Sequence, residues 1–219
     1  MLTAKSNIDV NHFYKHGYDE WMLPQELKTM LWGAIYTEDW NKHSVYKNVP
    51  AWSINTDITT PPKEEREYNR EYEKAKSASS LDVVPSVYVD VITSLFDNPY
   101  YSNWFKDTCG FEYELRFIDL WNGSDELKYH WDGVEDHDLG FLIYLTDEPN
   151  WKEEYGSILK IAERDYPNTE VYNEQSIIPN DGKVILLNNV NPRFVHSVNT
   201  LQDKTKNRYT LNVGISVWN

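Results

Sequence analysis

Cysteine occurs once in the 219 residues, at Cys109. A lone thiol cannot close an internal disulfide, so the chain must hold itself together by its core. That pattern points to a reducing, cytoplasmic setting with Cys109 as a small buried hydrophobe. Basic residues are also scarce, 21 Lys and Arg against 35 Asp and Glu for a net charge of −14. Nucleic-acid affinity comes largely from clustered cations that release counterions, so nucleic acid is not expected as a partner. Long apolar runs are missing as well. With nowhere 18 consecutive apolar residues, and no apolar stretch behind a basic start, neither a membrane span nor a secretory leader is expected. Internal repeats and low-complexity segments are absent too.

What the chain does have is large apolar side chains. Hydrophobic residues make up 40% and aromatics 15%, including 9 Trp and 16 Tyr. That is enough to bury about 70% of the unfolded surface in a folded core. One domain over residues 1–219 is expected, with 1–110 as helical support and entrance and 111–219 as the working core. Residues 1–20 show no period and suit an edge strand at most. Leu23-Pro24 opens a helix whose apolar stripe is Leu27, Met30, Leu31, Ala34 and Ile35. Residues 40–52 read as loop and short strand. Lys63–Ser77 reads as a charged helix, either a solvated surface helix or a lid. A further helix begins at Val84-Pro85, buries Val87, Val91, Ile92, Leu95 and Phe96, and stops at Asn98-Pro99.

From Phe111 the period becomes two. Phe111, Tyr113, Leu115, Phe117 and Trp121 alternate with Glu112, Glu114 and Arg116, predicting a half-buried strand that ends at Asn122-Gly123. Strands follow at Leu127–Trp131, Leu139–Thr146, Ser157–Ala162, Val184–Leu187, Phe194–Asn199 and Arg208–Trp218. The fold class this predicts is α+β, mainly β, a double-stranded β-helix of the jelly-roll or cupin-like kind with N-terminal covering helices over one sheet.

Chemistry concentrates at His130-Trp131-Asp132. Alternate residues of a strand share a face, so His130 and Asp132 can meet one ion. His196, 64 residues after Asp132, completes a two-histidine, one-carboxylate set. Such a set suits Fe(II), because three ligands on one side leave the opposite positions open. Arg208 and Thr210 share another strand face, and a guanidinium beside a hydroxyl is suited to gripping a carboxylate. Tyr144 places one phenol in an otherwise apolar strand. Between Asp125 and Glu154 stand ten acids and two lysines, a net of −8. They form either a solvated loop or an acidic mouth that favours neutral or cationic substrates. Tyr129 and Trp131 either border the substrate opening or pack against neighbouring strands. His137, among Glu135, Asp136 and Asp138, reads as loop.

The order His130-Trp-Asp132, Tyr144-Leu-Thr146, Trp151, Gly156-Ser-Ile-Leu159, Pro179-Asn-Asp-Gly182, His196-Ser-Val198, Arg208-Tyr-Thr210 and terminal Trp218 resembles the Fe(II)/2-oxoglutarate-dependent dioxygenases, in the prolyl 4-hydroxylase-like branch. The resemblance covers about Leu115 to Trp218. Departures are Ser157 for a second glycine, Thr146 for asparagine, Leu120-Trp121 where relatives often have tyrosine, and arginine where many prolyl hydroxylases use lysine. Prolyl specificity therefore does not come with the pattern.

The resemblance implies Fe(II) on His130, Asp132 and His196, and 2-oxoglutarate with its distal carboxylate on Arg208, Thr210 and Tyr144. The implied reaction uses dioxygen to hydroxylate a C–H bond of a peptidyl proline, amino acid or small metabolite, releasing succinate and carbon dioxide. A non-catalytic metal or small-molecule binding protein on the same barrel is the alternative. A cupin-type hydrolase or isomerase fits less well, having no need of the Arg208 clamp. Oligomeric state is not written in the pattern.

Overall fold

The computed structural model describes residues 9–37, 99, 103, 112–122, 126–132, 139–189 and 191–218, with backbone alone at 10, 34, 112–122 and 214–218. The helices expected at Lys63–Ser77 and after Val84-Pro85, the loop at 40–52, Cys109 and His137 lie outside these residues.

Three elements open the described chain. Helix α1, Val10–His16, starts where the Asp9 carboxylate accepts from the His12 amide and stops at Gly17, whose φ of +81° lies in the left-handed region. Only glycine fits there without strain, and a Cβ would in addition sit 2.2 Å from the Phe194 ring. Strand β1, Tyr18–Met22, follows directly, and α2 covers Gln25–Thr37. Leu27, Leu31 and Ile35 are buried on α2 as expected, whereas Met30 is 41% exposed. The inward line is thus an i, i+4 row, and Met30 falls to its flank.

The remaining strands form two antiparallel sheets. They are β2 (Glu112–Asn122), β3 (Leu127–His130), β4 (Leu139–Thr146), β5 (Leu159–Arg164), β6 (Val171–Ile177), β7 (Lys183–Asn188), β8 (Phe194–Val198) and β9 (Arg208–Trp218). The larger sheet runs β1-β7-β4-β9-β2 and the smaller β3-β8-β5-β6. Strands distant in sequence alternate between the two sheets, which is the jelly-roll arrangement expected from the sequence. Expected and observed bounds coincide for β4 and β9. Strand β5 begins two residues later than predicted because Gly156 and Ser157 both hold positive φ, +74° and +57°, and cannot enter a regular strand.

The core lies between the sheets. Tyr144, Leu159, Ile161, Ile185, Leu187 and Val198 pack there with Tyr18. The Tyr18 hydroxyl donates to Gln175 Oε1 across 2.7 Å, joining the β1 edge of one sheet to β6 of the other. Strand β6 was not expected; its exposed, polar residues Tyr172, Asn173 and Glu174 carry little periodic signal. Among the described residues no helix is long and apolar enough to cross a membrane.

Candidate metal centre and carboxylate clamp

Strands β3 and β8 pair so that His130 and His196 stand directly opposite each other. Their rings lie 4.2 Å apart, centre to centre. Asp132 follows β3 by two residues, and its carboxylate straddles both imidazoles: Oδ1 is 3.5 Å from His130 Nε2 and Oδ2 is 3.3 Å from His196 Nε2. One donor atom from each residue lies within 4.8 Å of the others. Adjacent ligands of an octahedral ion with bonds of ~2.1 Å stand ~3 Å apart, so the trio has the right span for one divalent cation.

The imidazole orientation is fixed locally. His130 Nδ1 lies 2.7 Å from the Lys128 carbonyl. A carbonyl can only accept, so Nδ1 carries the proton and Nε2 keeps its lone pair for the ion. Both histidines are buried, while the Asp132 side chain is 36% exposed at the strand end. The set therefore has one open side.

The clamp residues are on the larger sheet. In the β4–β9 register Tyr144 faces Thr210 and Thr146 faces Arg208. Arg208 Nη1 donates to Thr210 Oγ1 at 2.7 Å, and the guanidinium carbon lies 5.4 Å from the Tyr144 ring centre. Arg208 is 5% exposed and Tyr144 fully enclosed. Burial pushes the phenol up to about 12, with Arg208 opposing, and pulls the guanidinium below its ordinary value. No acid among the described residues pairs with Arg208, and both Arg208 Nε and the Tyr144 hydroxyl are buried without a hydrogen-bond partner. A buried cation beside two orphaned donors is a costly arrangement. A bound carboxylate would satisfy the guanidinium and the phenol together.

Tyr129 and Trp131 are each tied by a hydrogen bond to a neighbouring segment. The Tyr129 hydroxyl donates to Glu174, whose other oxygen takes Lys160 Nζ at 2.7 Å. Burial first, then that bond, pushes the Tyr129 phenol up. The Trp131 indole donates to the Asn189 carbonyl at 2.8 Å. Both side chains are thus structural ties, the packing alternative. Ser157 is buried at its positive φ with an unpartnered hydroxyl. A non-glycine residue at this φ is strained.

A jelly roll thus carries a His-Asp-His set on one sheet and a buried cationic clamp on the other. Residues 117–218, just under half the chain, match the family model of the 2OG-Fe(II) oxygenase superfamily. The matched stretch contains the His130, Asp132 and His196 set and the Arg208 clamp.

No curated protein matches the sequence. Among solved structures, the chain is similar to a prolyl hydroxylase from Trichoplax adhaerens in complex with a hypoxia inducible factor peptide fragment. That likeness has 15% identity, covers 95% of this chain and 87% of that one, and gives a TM-score of 0.51. It is similar also to SnoK, a non-heme alpha ketoglutarate dependent carbocyclase from nogalamycin biosynthesis, at 12% identity over 98% and 84% of the two chains, with a TM-score of 0.53. A 2OG-Fe(II) oxygenase family protein from Burkholderia pseudomallei shares 18% identity over 59% of this chain. The matched part spans 58% of that protein, with a TM-score of 0.43. These likenesses are of fold.

Proposed function

We propose that the protein hydroxylates a C–H bond of a peptidyl proline, a free amino acid or another small metabolite, in one domain spanning residues 1–219 and acting in the cytoplasm. The balanced reaction is 2-oxoglutarate plus dioxygen plus R–H giving succinate, carbon dioxide and R–OH. The observation that carries this reading is the buried Arg208–Tyr144 pair with its two orphaned donors, on strands opposite the histidine-carboxylate set. The Trichoplax neighbour, which binds a peptide fragment, supports a peptide substrate, and SnoK, from nogalamycin biosynthesis, supports a small molecule.

In this reading His130, Asp132 and His196 would hold Fe(II), which supplies the redox chemistry that activates dioxygen. Each must present a deprotonated donor atom, and the Lys128 carbonyl fixes His130 in the tautomer that does so. Arg208 would neutralise the distal carboxylate of 2-oxoglutarate and Tyr144 would donate to it, while Thr210 orients the guanidinium through its own bond. The enclosing core keeps water from the carboxylate end, where charge pairing is then strongest.

The test is succinate formation from 2-oxoglutarate with Fe(II) and dioxygen, alongside a mass-shift screen of peptides, amino acids and small metabolites for a gain of one oxygen. A substrate-dependent rise in succinate with a matching gain supports the proposal. Metal and 2-oxoglutarate binding without any turnover would instead assign a binding protein.

A further inference from the structure

Residues before β2 carry no chemical motif, yet α2 reaches the two strands that bear the clamp, and does so at one level of the sheet. Two contacts make the connection. First, Asp181, in the turn before β7 and only 9% exposed, accepts from three groups. Trp32 Nε1 on α2 donates to its Oδ1 at 3.0 Å, the Thr146 amide at the end of β4 donates to the same oxygen at 3.3 Å, and Lys28 Nζ on α2 pairs with Oδ2 at 2.9 Å. Second, the Trp32 ring meets Tyr209 of β9 edge-on, 5.9 Å between centres.

The register gives these contacts their meaning. Thr146 is the partner of Arg208, and Tyr209 is the neighbour of Arg208 and Thr210. Side chains alternate along a strand, so Tyr209 faces away from Arg208 towards α2 while Arg208 faces the interior. The amide of Gly182, next to Asp181, donates to the Tyr144 carbonyl at 2.8 Å, so the same turn also holds the strand at the phenol. Its φ of +83° and the Lys28 stem, 2.8 Å from where a Cβ would stand, leave room for glycine alone.

We infer that α2 acts through Asp181 and Trp32 as a strut that sets the spacing of Tyr144 and Arg208, making these positioning residues for 2-oxoglutarate and not for the metal. The inference rests on the proposed function, because it takes 2-oxoglutarate as the clamped carboxylate. Chemically it makes Asp181 Oδ1 the decisive atom. The Lys28 pair is a charge interaction on the other oxygen and is separable from it.

Two double variants distinguish the atoms. Lys28→Met with Asp181→Asn removes the ion pair but keeps an oxygen for Trp32 and Thr146. Lys28→Met with Asp181→Ala removes both. With the proteins loaded with Mn(II), calorimetric 2-oxoglutarate affinity should stay within about twofold of wild type in the first and fall roughly three- to tenfold in the second. Mn(II) affinity should be unchanged in both. Trp32→Phe, which deletes one donor and keeps a ring, should weaken 2-oxoglutarate binding about threefold and serves if the alanine variant does not fold. Equal 2-oxoglutarate binding in all foldable variants, or metal affinity falling in step with it, would overturn the inference. Failure of the wild-type protein to bind 2-oxoglutarate would instead overturn the proposed function on which it rests.

Discussion

The two sheets do different work, and they are built differently. The smaller sheet carries the histidine-carboxylate set on short, irregular strands: β3 spans Leu127–His130 and its register with β8 slips between its two ends. Asp132 lies just past that strand and is partly open to solvent. The larger sheet carries the clamp on long, regular strands, with β4 paired continuously to β7 on one side and β9 on the other. Tyr144 and Arg208 are correspondingly enclosed. In the proposed reading, the substrate-facing chemistry would sit where the backbone is loosely tied, and the constant co-substrate on the longer, more enclosed strands.

Four measurements break or sharpen that division. Removal of a metal ligand has the largest effect. His196→Ala should weaken Fe(II) binding by at least about a hundredfold and abolish succinate formation. The metal-free protein should stay folded with a loss of about 1–2 kcal/mol for the buried ring; a collapse of the fold would show that the smaller sheet is not separable from its site.

Arg208→Met acts on the other sheet. It should weaken 2-oxoglutarate roughly a hundredfold while leaving metal affinity intact. Because the guanidinium is buried with no acid beside it among the described residues, the same change should stabilise the ligand-free protein by roughly 1–3 kcal/mol, read as a higher Tm. Loss of stability without ligand would mean that the pocket is not strained.

Tyr144→Phe is milder and has a pH signature. The folded phenol keeps its proton to about pH 12, whereas the unfolded one releases it near its ordinary value of 10. The folded state therefore binds more protons between those values. Stability present below pH 10 falls as pH rises towards 12, by up to about 3 kcal/mol. Denaturant titrations from pH 9 to 12 should show this extra alkaline loss in wild type and not in the variant, which should also bind 2-oxoglutarate about fivefold more weakly. Identical alkaline limbs would contradict the enclosed phenol.

Ser157→Gly should have the smallest effect. It relieves a positive φ and an unpartnered buried hydroxyl at the loop leading into the smaller sheet, and should add about 1 kcal/mol of stability with no change in either affinity. A shift in metal affinity would show that this loop reaches the site.

Much of this arrangement can be read from sequence, and the reasons differ by element. Strand β4 stands out because an apolar run leaves an unbroken signal, and β9 because Tyr209, Leu211, Val213, Ile215 and Val217 alternate with polar or small residues. Met30 was misplaced because helical spacing alone does not say how wide the buried stripe is. Strand β6 was invisible: Tyr172, Asn173 and Glu174 face outward, and Asn173 at φ +52° interrupts the alternation. Helix α1 could have been found from Asp9 at its start and Gly17 at its end, caps that outweigh its weak periodicity. At the site, His130, Asp132, Arg208 and Thr210 were legible because i, i+2 spacing on a strand is a local rule. The convergence of Lys28, Trp32 and Thr146 on Asp181 was not, since it depends on where a helix lands after the sheets have formed.

Strand β9 lies between β4 and β2, so a strand made well after both becomes an interior one. While a ribosome is still adding residues 208–218, β2 has no partner in the larger sheet and β4 has a bare edge, both open to pairing with other chains. The same strand bears Arg208. In the proposed reading, the clamp would form only in the step that joins β2 to β4, and free 2-oxoglutarate would favour chains that have completed it.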